Sequence, residues 1–368
     1  MRLYIHIPFC ASKCGYCAFT SFVGEEANFE SYIEALCVDL EQSLKAKYYH
    51  LNSIFIGGGT PNLLDSKFYQ KIFTLIEQYA HIEQDCEISL EANVNLLNKQ
   101  WCKDLRALGA NRLSVGVQSF YEPKLAFLER DHSVKDIAYR MESAYNAGFS
   151  NLSCDLIITP LDTRTILESE LVNALKLPIQ HLSVYALSID EGSRFAAKKD
   201  INEKMNENNE EELSFFARDL LKTRGFRQYE VSNYAKNHNG KNCTNECAHN
   251  IGYWQGEEYV GAGLGAVGRI GQARLRAYTH LKQYLQNPTG RYVEHLESTH
   301  LRTEAIMLGL RCVRGFDIAF LGKNAQELIA LLIQGEKCHI KKAQEKTFLC
   351  ANELFLGDEI ALWILSRL

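Results

Sequence analysis

Three cysteines near the start of the chain, Cys10, Cys14 and Cys17, stand in a C-x3-C-x2-C spacing. Three thiolates in one short loop can hold three corners of an iron–sulfur cubane, a cluster usually held by four. No fourth cysteine lies close by, so one iron would stay open. Catalytic zinc sites likewise react at an open coordination position. A structural zinc site is the competing reading. It wants four ligands, and His6 could serve only from the segment preceding the loop.

Further polar residues recur at regular intervals. Gly57-Gly58-Gly59-Thr60-Pro61 reads either as a tight turn or as bare backbone that a ligand approaches closely. Glu91, Gln118 and Asp155 each interrupt or end an apolar run, where a polar side chain costs free energy unless it is paired. Any one of them could be a structural hydrogen bond; together, after successive strands, they form a wall suited to a cofactor. Arg130, in Leu128-Glu129-Arg130-Asp131-His132, could supply a cation for a carboxylate. Much later, His249-Asn250-Ile251-Gly252-Tyr253-Trp254 sets an imidazole beside two aromatic rings. On its own that segment reads as a histidine that caps or packs.

The elements that must position these residues alternate. Strands are predicted at Leu3–Ile7, Ser53–Ile56, Glu87–Glu91, Arg112–Val117, Asn151–Ile158 and Leu182–Ala186. Between them, three-and-four apolar spacing predicts helices at 29–44, 68–79, 99–108, 137–147 and 165–175. Such alternation implies a parallel α/β sheet with right-handed crossovers. The polar residues fall just after strands, where parallel sheets and barrels place ligands. A doubly wound sheet and a partial barrel both fit. The acidic run 202–212 reads as a solvated loop entering a helix, and the Asn/Gly-rich stretch 237–247 as a loop. After about residue 300 come helices at 304–310 and 324–333, short strands near 339–340 and 347–350, and a last helix at 358–368. The expected division is residues 1–235 with the cysteine loop, 236–300 as an extension carrying His249, and 301–368 as a small mixed α/β domain.

Composition narrows the function. The chain has 368 residues, 46 % hydrophobic and 23 % charged, typical of a globular protein. No apolar run reaches the ~18 residues of a membrane span, and the first residues lack the pattern of a secretory signal. A cytoplasmic protein is expected, with most of its twelve cysteines reduced. A net charge of −5 with no Lys/Arg-rich stretch argues against a nucleic-acid partner.

The cysteine spacing after a first strand, followed by Tyr16 and Phe19, resembles the radical S-adenosylmethionine (radical SAM) superfamily. The resemblance implies a partial (β/α)6 barrel, a [4Fe-4S] cluster on Cys10, Cys14 and Cys17, and SAM chelating the open iron. It places Tyr4, Tyr16, Gly58, Gly59, Thr60, Glu91, Gln118, Arg130 and Asp155 at the SAM site. The motifs Tyr4 to Cys10, Gly57 to Pro61, Leu90 to Asn93, Ser114 to Phe120 and Gln228 to Asn233 are similar to those of the oxygen-independent coproporphyrinogen III oxidase group, over nearly the whole chain.

That group holds true oxidases and heme chaperones. The oxidases carry a further cysteine two residues after the third, where this chain has Phe19, and an extension before the first strand. The chaperones carry an HNxxYW motif, present here from His249 to Trp254. The chaperone branch implies heme contact through His249, Tyr253 and Trp254, with His249 a ligand to heme iron. A neutral imidazole suits that role, and flat rings suit a porphyrin face. It also implies heme-acceptor partners, membrane respiratory enzymes among them, hence peripheral membrane contact; a homodimer stays open. The alternative is radical decarboxylation of coproporphyrinogen III. One departure stands out: where relatives read Gly-Leu-Pro-Gly, this chain reads Thr159-Pro160-Leu161-Asp162.

Overall fold

The computed structural model describes residues 1–198, 201, 207–237, 245–343 and 345–368. Strand β1 (Arg2–Ile7) leads through short β2 (Phe9–Cys10) and β3 (Phe22–Val23) to helix α1 (Phe29–Lys45). Then follow β4 (Tyr49–Gly58), α2 (Ser66–Tyr79), β5 (Ala80–Asn93), α3 (Lys99–Ala107) and β6 (Arg112–Gln118). After them come α4 (Glu122–Phe127), α5 (Val134–Asn146), β7 (Asn151–Ile158), α6 (Arg164–Leu175) and β8 (His181–Ala186). The parallel order β1-β4-β5-β6-β7-β8 runs in sequence. A doubly wound sheet would reverse its order at a switch point, so the partial barrel is the fold.

Each strand divides its side chains between two environments. Leu3, Ile5 and Ile7 of β1 and Ile54 and Ile56 of β4 are fully buried in the apolar core. Tyr32, Leu36, Leu40 and Leu44, the apolar stripe of α1, join the same core. Alternate residues turn to the barrel interior, which is polar: Arg2, Tyr4 and His6 on β1, then Ser53, Glu91, Ser114 and Asp155 on later strands. Helices α2 and α3 start on side-chain caps: Asp65 accepts from Lys67 N at 2.9 Å, and Asn98 from Trp101 N at 2.9 Å.

The sheet is wider than the sequence predicted. Beyond β8 lie antiparallel β10 (Asn233–Lys236) and β9 (Phe226–Gln228). On the other edge β11 (Tyr259–Ala262) pairs parallel with β1, from Arg2↔Tyr259 to Ile5↔Ala262. Antiparallel β12 (Val267–Ile270), β13 (Ala273–Ala277) and β14 (Arg291–His295) extend that edge. One twelve-stranded sheet therefore runs across the expected 235/236 division. β11 is short and half glycine and alanine, so it left no alternation to read. A Cβ on Gly261 would lie 2.1 Å from Val267 O, so that close crossing needs glycine.

The C-terminal part has its own core, including Ile306, Leu310, Phe316, Leu349 and Ile364. Helices Ser298–Leu310, Ala325–Gln334 and Gly357–Leu365 pack around the antiparallel sheet of β15 (Phe316–Asp317), β16 (Cys338–Ala343) and β17 (Lys346–Ala351). It joins the larger sheet at the Gln228–Asn233 motif, where Val231 N donates to Arg311 O at 2.9 Å. Cys243 and parts of the acidic run and the Asn/Gly stretch lie outside the described residues. Among the described residues no helix is long and apolar enough to cross a membrane.

Candidate functional site

The cysteine loop is clamped at the C-terminal end of the parallel strands. Cys10 sits on β2, which pairs with β3, and Cys17 N donates to Cys14 O at 3.3 Å. Gly59 N and Thr60 N donate to Ile7 O and Phe9 O, both at 2.7 Å, tying the glycine run to the same loop. His6 is hydrogen-bonded to Thr20 O through Nε2 at 2.8 Å. Gly15 lies so close to Phe195 that a Cβ would sit 2.0 Å from its ring. The loop is thus held from four directions.

Around it lies a cavity of about 420 Å³. Its lining includes all three cysteines with Tyr16, Gly58, Gly59, Thr60, Glu91, Gln118, Arg130 and Asp155. The structure therefore brings together every expected SAM-site residue except Tyr4. That residue lies one layer lower in the barrel, its hydroxyl bonded to His6 Nδ1 at 2.9 Å and its ring stacked on Phe55. The cavity reaches down the strands to Glu91 and Ser114, which lie two residues above the row that Tyr4 shares with Phe55 and Ser89.

The wall residues are restrained individually. Glu91 accepts from Gly58 N at 3.0 Å. Asp155 accepts from Ser183 at 2.7 Å and from Ser114 and Ser153. Burial, with the neighbouring Asp155 charge, pushes Glu91 up to about 7 against the pull of the Gly58 amide. Burial also raises Asp155, opposed by the Ser183 hydroxyl and the Arg112 charge. A cleft with two desolvated carboxylates favours a cationic guest. Arg130 Nη1 donates to Cys14 Sγ at 3.2 Å and Nη2 to Gly116 O at 2.7 Å, so it faces the cluster loop. Gln118 has φ +66, a left-handed conformation costly for a side-chain-bearing residue. Its Oε1 is buried with no partner among the described residues.

Sequence reading missed Lys13, Ser114, Tyr185 and Asp190, which also line the cavity. Tyr185 lies on β8 and Asp190 after it. The departure at Thr159–Asp162 has a physical account. Asp162 accepts from Thr159 N at 2.7 Å and pairs with buried Lys124 Nζ at 2.8 Å. Lys124 also meets Glu170 at 2.6 Å, and Glu170 accepts from Phe120 N at 3.0 Å. This ion cluster supports the turn just after Gln118.

The HNxxYW segment is elsewhere. Helix Ala248–Trp254 plugs the barrel floor, at the N-terminal end of the strands. Glu87 accepts from Ala248 N at 2.9 Å, His249 N at 3.2 Å and Cys247 Sγ at 3.4 Å. His249 is fully buried, its Nδ1 bonded to Ser53 Oγ at 3.0 Å and its Nε2 to Tyr253 OH at 2.9 Å. In this arrangement His249 presents no free lone pair to an iron. Burial and the Arg2 charge lower it to about 3, so it is neutral. Trp254 packs with Tyr229, Cys247 and Cys312. A Cβ on Gly252 would strike Arg2 Nε at 1.6 Å, and Arg2 in turn binds Glu257 at 2.9 Å and Ser53 at 3.2 Å.

The cleft suits a site-differentiated cluster. It offers three thiols, a glycine whose Cβ would come within 3.0 Å of Cys10 Sγ, and the orphaned Gln118 Oε1 for a ligand beside them. Residues 4–175 match the family described as the Radical SAM superfamily. With its barrel and cysteine cleft, this is a radical SAM protein, a class that implies a [4Fe-4S] cluster and SAM. The chain is 31 % identical to the heme chaperone HemW of Bacillus subtilis over 97 % of both chains. It is 32 % identical to that of Escherichia coli K12 over 80 % of this chain and 77 % of the other. The chain belongs to the HemW heme chaperone family. In fold it is similar to the radical SAM enzyme coproporphyrinogen III oxidase (HemN) of Escherichia coli, with TM-score 0.81, 20 % identity, and coverage of 100 % of this chain and 90 % of that one.

Proposed function

We propose that this protein is a heme chaperone that carries a SAM-liganded iron–sulfur cluster, binds heme and passes it to acceptor proteins, membrane respiratory enzymes among them. The observation that carries the reading is the coexistence, in one barrel, of a complete cysteine cleft and a separate HNxxYW floor. Cys10, Cys14 and Cys17 would hold the cluster, and Arg130 would balance thiolate charge. The Gly58 and Gly59 backbone and Thr60 would meet the SAM amino group, with Glu91 and Asp155 favouring its positive charge. A cluster with an open iron supplies one-electron cleavage of a SAM sulfur–carbon bond. Whether turnover or structural control is used, these residues bind and orient the cofactor.

Heme is assigned to His249, Tyr253 and Trp254 in a latched form. Ligation of iron through His249 Nε2 would replace its bond to Tyr253 and, because His249 is fully buried, would require the motif helix to shift from the floor. Heme binding is therefore expected to be slow, and faster when the latch at Nε2 is removed by Tyr253→Phe. The test is a heme titration of anaerobically reconstituted protein, followed at the Soret band. Saturable binding that weakens in His249→Ala supports the reading. Binding unchanged in that variant makes His249 a floor residue only. No binding in either protein, with vinyl product formed from coproporphyrinogen III, favours the oxidase alternative.

A further inference from the structure

A second group of potential ligands lies at the opposite end of the sheet from the cysteines. His50, the second residue of β4, and His81, the second of β5, are direct register partners in the parallel ladder. Their rings meet edge-on with centroids 5.1 Å apart, and Tyr48 packs edge-on against His50. Glu83 is two residues after His81, and successive odd positions share a face of a strand. Beyond it the β4–β5 register breaks: Leu51 pairs with Ile82, but Ser53 pairs with Glu87. The looped-out stretch frees Glu83 from regular pairing, as bulges do when they re-aim a side chain. Its Oε1 reaches His50 Nδ1 at 2.8 Å and its Oε2 lies 3.7 Å from His81 Nε2.

We propose that His50, His81 and Glu83 bind a divalent transition-metal ion of the zinc class, at a site independent of the cysteine loop. One ligand atom from each residue lies within 4.8 Å of the others. Metal–ligand bonds of about 2.0–2.2 Å in a tetrahedral site put the ligand atoms roughly 3.3 Å apart. The two Glu83 contacts bracket that spacing, and the histidine side chains are 64 % and 51 % exposed, free to close the remainder by small rotations. Two imidazoles and one carboxylate match nitrogen-preferring first-row ions over magnesium or calcium. Three protein ligands leave a position for water or a further donor. A bound ion would staple the starts of β4 and β5 beside the barrel floor. An ordinary surface hydrogen bond between Glu83 and His50 is the competing account.

The test is equilibrium dialysis of cluster-loaded protein against Zn²⁺, with zinc and iron counted per chain, in the wild type, His50→Ala and His81→Ala. The expected result is one zinc per chain beyond the wild type's cluster metal, with affinity about tenfold or more weaker in each variant. X-ray absorption at the zinc edge should show only nitrogen and oxygen neighbours with an imidazole pattern. Zinc should also raise the wild-type melting temperature and leave the variants unmoved. The proposal is overturned by equal zinc uptake in all three proteins, by sulfur in the zinc shell, or by no uptake at about 100 µM Zn²⁺.

Discussion

The burial of His249 has a measurable signature in the pH dependence of stability. In the folded protein its imidazole is lowered to about 3 by burial and the Arg2 charge, while in an unfolded chain it titrates near 6.5. Between those values the unfolded state binds more protons, so stability is fully present above pH 6.5 and falls as the pH drops through that value. At pH 5.5 the unfolded imidazole is about 90 % protonated and the folded one is neutral, which removes about 1.4 kcal/mol relative to pH 7.5. His249→Gln keeps donors and acceptors for Ser53 and Tyr253 but does not titrate, so it lacks this loss. Urea unfolding of both proteins at the two pH values, in the same cluster state, isolates the difference from all other groups. A wild type and variant with the same pH slope would falsify the sealed floor, because His249 would then titrate alike in both states. That outcome would also favour a histidine free to meet iron without any opening.

Three further outcomes follow from the geometry. Lys124→Met leaves Asp162 and Glu170 buried without their cation and should cost about 3–5 kcal/mol in chemical denaturation. Glu91, pushed up to about 7 mainly by burial, is neutral below that pH. SAM affinity measured by calorimetry should therefore rise from about pH 6 to 8, and Glu91→Gln should flatten the rise. Cys14→Ala should abolish cluster binding, read from iron content and absorbance, and impair heme transfer; normal transfer by that cluster-free variant would break the link between the two sites.

The sequence made the cleft readable because its chemistry is local. Cys10, Cys14 and Cys17 lie within one loop, Gly58, Glu91 and Gln118 fall at or near a strand end, and Asp155 interrupts an apolar strand. The six core strands were readable for the same reason, although β5 proved to run from Ala80, well before its apolar centre. What sequence could not supply was long-range pairing. Nothing in Tyr259–Ala262 announces that it lies against Arg2–Ile5. The residues of the His249 motif alone read as a histidine that caps or packs, and the ligand role comes from the chaperone resemblance; the spacing says nothing of Glu87, Ser53 and Arg2, the partners on remote strands that close it. Tyr4 lies outside the cavity lining for a smaller reason: alternation gives the face of a strand, but not the depth along the barrel.

The pairing of β1 with β11 bears on how the protein is made. The ribosome delivers the cysteine loop on a strand that finds β4 soon but waits for its other neighbour until about 250 residues later. At roughly 5–20 residues per second that is a wait of roughly 12 to 50 seconds. During it, one edge of β1 is an unpaired template open to wrong partners, and the cysteines beside it are not yet backed by a finished wall. The cysteine loop is thus translated about 250 residues before the second edge of the strand beneath it is sealed. Machinery that delivers clusters could act on the chain while it is still being made, and a pause in translation before β11 would lengthen both that opportunity and the hazard.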